Sequence, residues 1–406
     1  MDIVKLKDLT VDGKGTYGVA APAVEYQENL PTYLRITDIL DDGTLNLSEL
    51  KSVKVPDSER YMLRPNDIVF ARTGGSTGRN YFYDGTDGEF VYAGFLIKFS
   101  LDPKKVNPKF IKYFCQSEQY KQWVRSFNTG STRGNINAQT FGNMEIALPG
   151  RKQQDHLVSV LESMGKKIKL NKKINDNLQK QLYEIYKAWY QDFLCIDNLT
   201  LIESPYGKIP QGWHYSMLGD LCKSVSVTHN FNTERLIFLN TGDVEDGMFL
   251  HSDYMAVADM PGQAKKTIMQ NDILYSEIRP INRHFAYVDF QADNYVVSTK
   301  LMVIRATSFD SRRLYHFLTL QDTLEELQMQ AESRSGTFPQ IRFENISKLP
   351  ILIADSNTET AFVTLLHAAY NQIEHNNSEN KKLSELRNSL LPQLMSGKID
   401  VSRIRL

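Results

Sequence analysis

Cysteine is scarce in this chain, with three in 406 residues, at Cys115, Cys195 and Cys222. They have no metal-ligand spacing and leave one unpaired in any disulfide scheme, which argues against a disulfide framework and for a reducing, cytoplasmic setting. No apolar run is long enough to span a bilayer, so no membrane association is expected. The stretch MDIVKLKDLT at the N-terminus has neither a basic n-region nor an apolar h-region, and no signal peptide is read. Net charge is −1, so no global excess of positive charge draws the chain to nucleic acid. HExxH, CxxC and Walker A motifs are all missing, and neither a metal nor a cofactor is expected.

What the chain does contain is a long stripe. Leu157, Leu161, Met164, Ile168, Asn171, Asn175, Leu178, Leu182, Ile185 and Trp189 follow one another at alternating steps of four and three, the a/d spacing of a helix that buries one seam against another helix. Lys166, Lys167, Lys169, Lys172 and Lys173 fill the solvated face. The stretch would make a rod of roughly 50 Å. A single stripe of this kind is ordinarily a core helix of one large domain. Here, however, Phe362, Leu366, Ala369, Ile373, Asn376, Asn380, Leu383, Arg387, Leu390 and Leu394 repeat it 205 residues later. Both seams carry two asparagines at mid-length, residues that cost stability at a core position and pin register. Parallel and antiparallel pairing would both bring the asparagines together, so the residues alone leave the direction open.

The same offset aligns other landmarks, and repeats take precedence over motifs. Tyr33–Ile39 lies over Phe238–Val244, and Arg64–Phe70 over Met269–Tyr275. Gly134, Phe141 and Asn143 align with Gly336, Phe343 and Asn345 at an offset shorter by three, and Leu148-Pro149 with Leu349-Pro350. The expected organisation is an α+β or α/β protein with a pseudo-twofold internal repeat. Residues 1–150 form one globular domain, 151–195 the first long helix, 196–352 a second globular domain, and 353–406 the second long helix and tail. Globules of about 150 residues can bury their own cores. Asn107–Phe127 reads as one helix, and Asp197–Gly212, with two prolines and two glycines, reads as a linker.

Two loops in each copy are chemically suggestive. Arg72-Thr73-Gly74-Gly75-Ser76-Thr77-Gly78-Arg79-Asn80 combines a flexible backbone with hydrogen-bond donors suited to phosphate oxygens. It is not a P-loop, because it leads into the strand Tyr81-Phe82-Tyr83 and lacks the Gly-Lys-Ser/Thr ending that opens a helix; a plain hairpin connection is the other reading. Its counterpart, Glu277 to His284, keeps the framework but replaces the glycine pair with Pro280. Asn128–Asn137 and Glu332–Gln340 form the second pair of polar loops. Between Phe70 and Gly134, ten Lys/Arg face five acids, a local excess that suits phosphates or a plain solvated face. Candidate DNA contacts chosen from this chemistry are Arg72, Thr73, Ser76, Arg79, Asn80, Arg133 and Asn135, with Arg279, Asn282, Arg283, Arg334 and Gln340 in the second copy.

With two such halves, each ending in a Leu-Pro step ahead of a long helix, and with the tail Asn388-Ser389-Leu390-Leu391-Pro392-Gln393-Leu394-Met395-Ser396-Gly397-Lys398-Ile399, the chain resembles the specificity subunits of Type I restriction–modification enzymes. It departs from that family where a Glu-Gln pair usually follows the prolines: Gln153-Gln154-Asp155 and Glu359-Thr360 stand there, which bears on subunit docking. The resemblance implies two target recognition domains, each reading half of a split double-stranded DNA site, and two long helices paired as an antiparallel coiled coil. It also implies two methyltransferase subunits and further restriction subunits as partners, with no catalysis by this chain. The nearest string to an amino-methyltransferase motif, Asn107-Pro108-Lys109-Phe110, lacks the second proline and begins a helix. Two rival readings stand beside this one. One is a coiled-coil adaptor for partners other than nucleic acid. The other is a nuclease using Asp67 and Asp272 as metal ligands, against which Asn-Asp turns are the commoner explanation.

Overall fold

The computed structural model of the chain describes residues 2–127, 134–334 and 339–395, with the side chains of 334, 392, 394 and 395 outside the description. The chain divides into two compact units, one built from the residues up to Asn171 together with those from Asn377 on, the other from Lys172–Asn376.

In the first unit, one four-stranded sheet has the order Thr16–Tyr17, Leu96–Ser100, Asp67–Ala71, Asn80–Tyr83, with all neighbours antiparallel. A second has the order Ala23–Glu25, Lys51–Val53, Thr32–Leu34, Phe90–Tyr92, its last pair parallel. Asp67–Ala71 is buried along its whole length because both of its faces are covered. Phe70 stacks on Phe141, with ring centroids 4.7 Å apart, and Phe99, Phe110 and Phe114 complete the same core. The expected single helix over Asn107–Phe127 is two, Pro108–Phe114 and Glu118–Arg125. Ser117 breaks the run by capping the second helix through its side chain at Tyr120 N.

The second unit repeats this plan. Its first sheet runs Cys222–Val225, Leu301–Ala306, Ile273–Ser276, Phe285–Tyr287, and its second runs Tyr254–Ala256, Arg235–Leu239, Tyr295–Ser298, Ala264–Thr267. Leu34 pairs with Tyr92, and Leu239 with Val297, each in parallel register. Those two pairs stand at the 205-residue offset, and the offset does not slip later. Ala138–Gly142 corresponds to Phe343–Ser347, and Glu145–Leu148 to Pro350–Ile353. The expected shift by three, and the match of Pro149 with Pro350, are therefore corrected: Pro350 opens a strand, whereas Pro149 follows one. Asp197–Gly212 is also more than a linker, since Leu201–Ser204 and Gly207–Pro210 form an antiparallel hairpin.

Both long helices have 40 residues, Arg151–Tyr190 and Ser356–Met395, about 60 Å each. In the first unit, Leu157 and Leu161 share a core with Leu390 and Leu391. There the Asn171 side-chain amide donates to Asn380 Oδ1 at 2.9 Å and to Glu379 at 2.7 Å. In the second unit, Asn376 donates to Asn175 Oδ1 at 2.8 Å, and Leu182 packs in one cluster with Phe362, Leu366 and Ile373, with half-buried Leu178 against it. Rising numbers on one helix meet falling numbers on the other, so the pairing is antiparallel. Ile168, Leu383 and Leu390 are half-buried. Beyond Leu182 the buried residues are Tyr186 and Tyr190, whereas Ile185 and Trp189 on the extrapolated stripe are only partly covered. A straight helix of 3.6 residues per turn drifts off a 3.5 repeat, and here it turns those tyrosines into the domain core.

The residues where the chain departs from the Glu-Gln pattern tie the helix starts to their own units. Gln154 accepts from Asn107 N and donates to Pro149 O, both at 2.8 Å. Glu359, 205 positions on, accepts from Ala354 N, Tyr190 Oη and the Nε of wholly buried Arg313. Asp67 and Asp272 are turn clamps. Each accepts a backbone N–H three residues earlier, and they pair with Lys98 and Arg305 respectively. The asparagine before each adopts a left-handed backbone, φ 77° at Asn66 and 73° at Asn271.

His316 lies in the second core, with Nδ1 3.1 Å from Tyr370 Oη. Burial, reinforced by the Arg313 charge, pushes its pKa down to about 3. The unfolded chain, with an ordinary imidazole near pH 6.5, then binds the extra proton between those two values. Stability of the second unit is therefore full above about pH 6.5 and falls as pH drops toward 3, by up to about 1.4 kcal/mol per pH unit from this group. Urea titrations at pH 7, 6 and 5 measure that slope, and His316→Gln is expected to flatten it.

Candidate nucleic-acid interface

At one end of the first sheet, where Ala71 pairs with Leu96, the chain leaves the sheet into the glycine loop. Three backbone contacts organise this end. Arg72 N donates to Phe95 O at 3.0 Å, Ile136 N donates to Arg72 O at 2.9 Å, and Thr73 bridges Asn135. The second unit repeats all three: Glu277 N donates to Lys300 O at 3.1 Å, Ile341 N donates to Glu277 O at 2.9 Å, and Ile278 bridges Gln340. Arg72 and Thr73 are thus brought beside Asn135 and Ile136, and Glu277 and Ile278 beside Gln340 and Ile341, on one frame.

The side chains on that frame differ. In the first unit the Arg72 guanidinium lies over the Tyr17 ring, 5.1 Å from its centroid. Its buried Nε has no acceptor among the described residues. In the second unit the equivalent seats hold Glu277 and Lys300, ion-paired at 3.6 Å. The glycine loop itself is held rigidly. Thr77 Oγ1 donates to Gly74 O at 2.7 Å and Gly134 O at 3.0 Å, and Tyr120 Oη donates to Gly78 O at 2.6 Å. Gly78 has φ +88°, and a Cβ there would lie 2.4 Å from Val124, so this position admits glycine alone.

Several expected contacts fall elsewhere. Asn80 is 8% exposed and donates to the carbonyls of Gly78 and Cys115, so it is a strand residue satisfying buried backbone and not a DNA contact. Arg79 is engaged by Asp41 at 2.6 Å and by Ile39 O. Arg283 is engaged by Asp246 at 2.7 Å. These two arginines hold their own loops together. Ser76 is half-buried in the glycine loop, Arg279 and Asn282 are exposed, and Gln340 is half-buried. Arg133 and the Arg334 side chain lie outside the described residues. His284 Nδ1 is satisfied by Val244 O at 2.9 Å. Part of the local basic excess is paired within the unit, Lys98 with Asp67, Lys109 with Glu162 and Arg125 with Glu118. Tyr17, Phe95 and Lys300 are not among the sequence candidates because only strand register places them beside the loops, and Glu277, though it opens the counterpart loop, is not among them either.

Two copies of one fold, each presenting the same loop frame with its own side chains, define a duplicated recognition protein. The sequence matches the model of the Type I restriction modification DNA specificity domain twice, over residues 3–180 and 210–385, and the chain belongs to that family. It is 42% identical over 181 residues to the Type I restriction enzyme HindI specificity subunit of Haemophilus influenzae, a match covering 44% of this chain and 39% of that relative's length. It is 21% identical over 305 residues to the MjaIX specificity subunit of Methanocaldococcus jannaschii, covering 73% of this chain and 70% of the relative. The crystal structure of the Type I restriction-modification S subunit from M. genitalium shares the fold, with a TM-score of 0.58 and 15% identity across 97% of this chain and 95% of that one.

Two neighbouring glycines separate loop geometry from loop sequence. Gly78→Ala is expected to destabilise by about 1–3 kcal/mol through the Val124 overlap. Gly75→Ala, with open space around its Cβ position, is expected to stay within about 0.5 kcal/mol. Urea denaturation of both variants checks the contrast.

Proposed function

We propose that this chain is the DNA sequence-specificity subunit of a cytoplasmic Type I restriction–modification complex. Each unit reads one half of a bipartite double-stranded target, and the chain scaffolds two methyltransferase subunits and the restriction subunits without performing chemistry itself. One observation carries the reading: an identical frame of backbone contacts holds Arg72 and Phe95 in one unit and Glu277 and Lys300 in the other. A protein recognising two identical sites would have no reason to differ there, whereas a reader of two different half-sites must. Family membership supports DNA as the ligand. Each paired helix, at about 60 Å, exceeds a duplex turn of about 34 Å, which supports a target whose two parts are separated by unread base pairs.

In the first unit, Arg72, Thr73 and Asn135 are the contacts the frame favours. Arg72 is half-buried with its guanidinium over the Tyr17 ring, and arginine pairs with guanine N7 and O6 in the major groove. In the second unit, Arg279, Asn282 and Gln340 occupy the corresponding loops. Glu277 can accept from a cytosine amine once its partner Lys300 turns to phosphate.

Purification of the chain with its neighbouring methyltransferase, followed by mapping of methylated bases, tests the proposal. Methylation at one split sequence is expected, and sequence-independent methylation or none overturns it. Binding to the mapped target is expected to fall steeply between low and moderate salt. Arg72→Ala is expected to weaken binding by about 1–3 kcal/mol and relax preference at one base pair of one half-site only. A titration of the variant against single-base target variants measures both effects.

A further inference from the structure

The turn at Ala93-Gly94-Phe95 holds an aromatic ring out from the protein on an unusually constrained backbone. Gly94 N donates to Val19 O at 2.8 Å, Leu96 N donates to Ala93 O at 2.8 Å, and Phe95 O accepts from Arg72 N at 3.0 Å. The segment facing it is just as tight: a Cβ on Gly18 would sit 2.2 Å from Tyr92 O, and one on Gly94 3.2 Å from Val19 O. Despite this anchoring, Phe95 is 59% exposed, and beside it Tyr17 is 42% exposed. Tyr17 is fixed too, its hydroxyl accepting from Ala138 N at 3.2 Å and its ring carrying the Arg72 guanidinium. A lone exposed phenylalanine on a mobile loop would be unremarkable. One on a rigid turn has little conformational freedom left to lose on binding, which is how an anchor is pre-organised.

We infer that Phe95 is an apolar wedge that opens one base step in the half-site read by the first unit, while Arg72 contacts the adjoining base edge or phosphate and Tyr17 supports the arginine. The inference rests on the DNA-reading function proposed above. Apolar side chains inserted between base steps unstack and kink a duplex, with neighbouring cationic or amide side chains reading the groove. The second unit carries Lys300 in the same seat, paired with Glu277, so its half-site stays stacked. The two half-sites are therefore distorted unequally, and part of the specificity of the first comes from how easily its step opens.

The test uses the full chain with its methyltransferase on the mapped target, with the fluorescent adenine analogue 2-aminopurine placed singly through both half-sites at positions other than the methylated adenines. A several-fold rise in fluorescence is expected at one step of one half-site and at none of the other. Phe95→Ala is expected to abolish the rise and weaken binding roughly ten-fold, Phe95→Trp to keep both, and thermal unfolding to show all variants folded. Specific binding with no rise at any step, or a rise that survives in Phe95→Ala, overturns the wedge while leaving the DNA-reading function intact. Absence of specific binding by the wild-type complex overturns that function and the wedge with it.

Discussion

A side-chain amide buried between two helices must find a partner, and that constraint sets the helix pairing here. Asn171 meets Asn380 and Asn175 meets Asn376, and all four are at least nine-tenths buried. Sliding one helix by a turn would keep one asparagine pair and set the other two amides against isoleucine or leucine, leaving donors and acceptors unpaired at a cost of about 1–3 kcal/mol each. Apolar contacts alone would tolerate such a slip far better, since leucine packs on leucine in many registers. The asparagines therefore trade stability for register.

Register matters because each helix start is clamped to its own globule. Gln154 and Glu359 take equivalent seats and perform the same task with different chemistry. The glutamine both accepts and donates backbone bonds. The glutamate only accepts, and recruits the buried Arg313 to balance its charge. A wholly buried arginine is costly unless paired, and the rings of Tyr190 and Phe362, 4.4 and 5.2 Å from its guanidinium, enclose it. This departure from the family pattern is thus an internal matter of each unit.

The recognition surfaces follow the same economy of frame. Backbone bonds that need no particular side chain hold the loops in both units, so residues such as Arg72 and Glu277 were free to diverge without loss of fold. Loops that diverge on a shared scaffold are where binding function concentrates. By contrast, Gly78 is held to glycine by its surroundings, since a Cβ there would strike Val124, and the exposed Gly75 is under no such restraint.

Much of the architecture was legible before any coordinates. Periodicity revealed the helices, since burying one seam demands a 3.5-residue spacing, and the offset between the two seams revealed the duplication. Local chemistry also marked the loops, and correctly valued Asn66-Asp67 and Asn271-Asp272 as turns. What it could not do was distinguish a donor facing outward from one facing inward. Asn80 and Arg72 look alike as polar loop residues, yet one is buried against Cys115 O and the other is half-buried with its guanidinium over the exposed Tyr17 ring. Phe95 reads from sequence as the first residue of an apolar strand, whereas the strand begins at Leu96 and the ring is exposed. The sequence by itself determined the elements and the repeat, because helix and strand periods are local properties of the chain. Only the tertiary structure decided the antiparallel sense, the strand register and the company each loop side chain keeps, because those depend on partners dozens to hundreds of residues away.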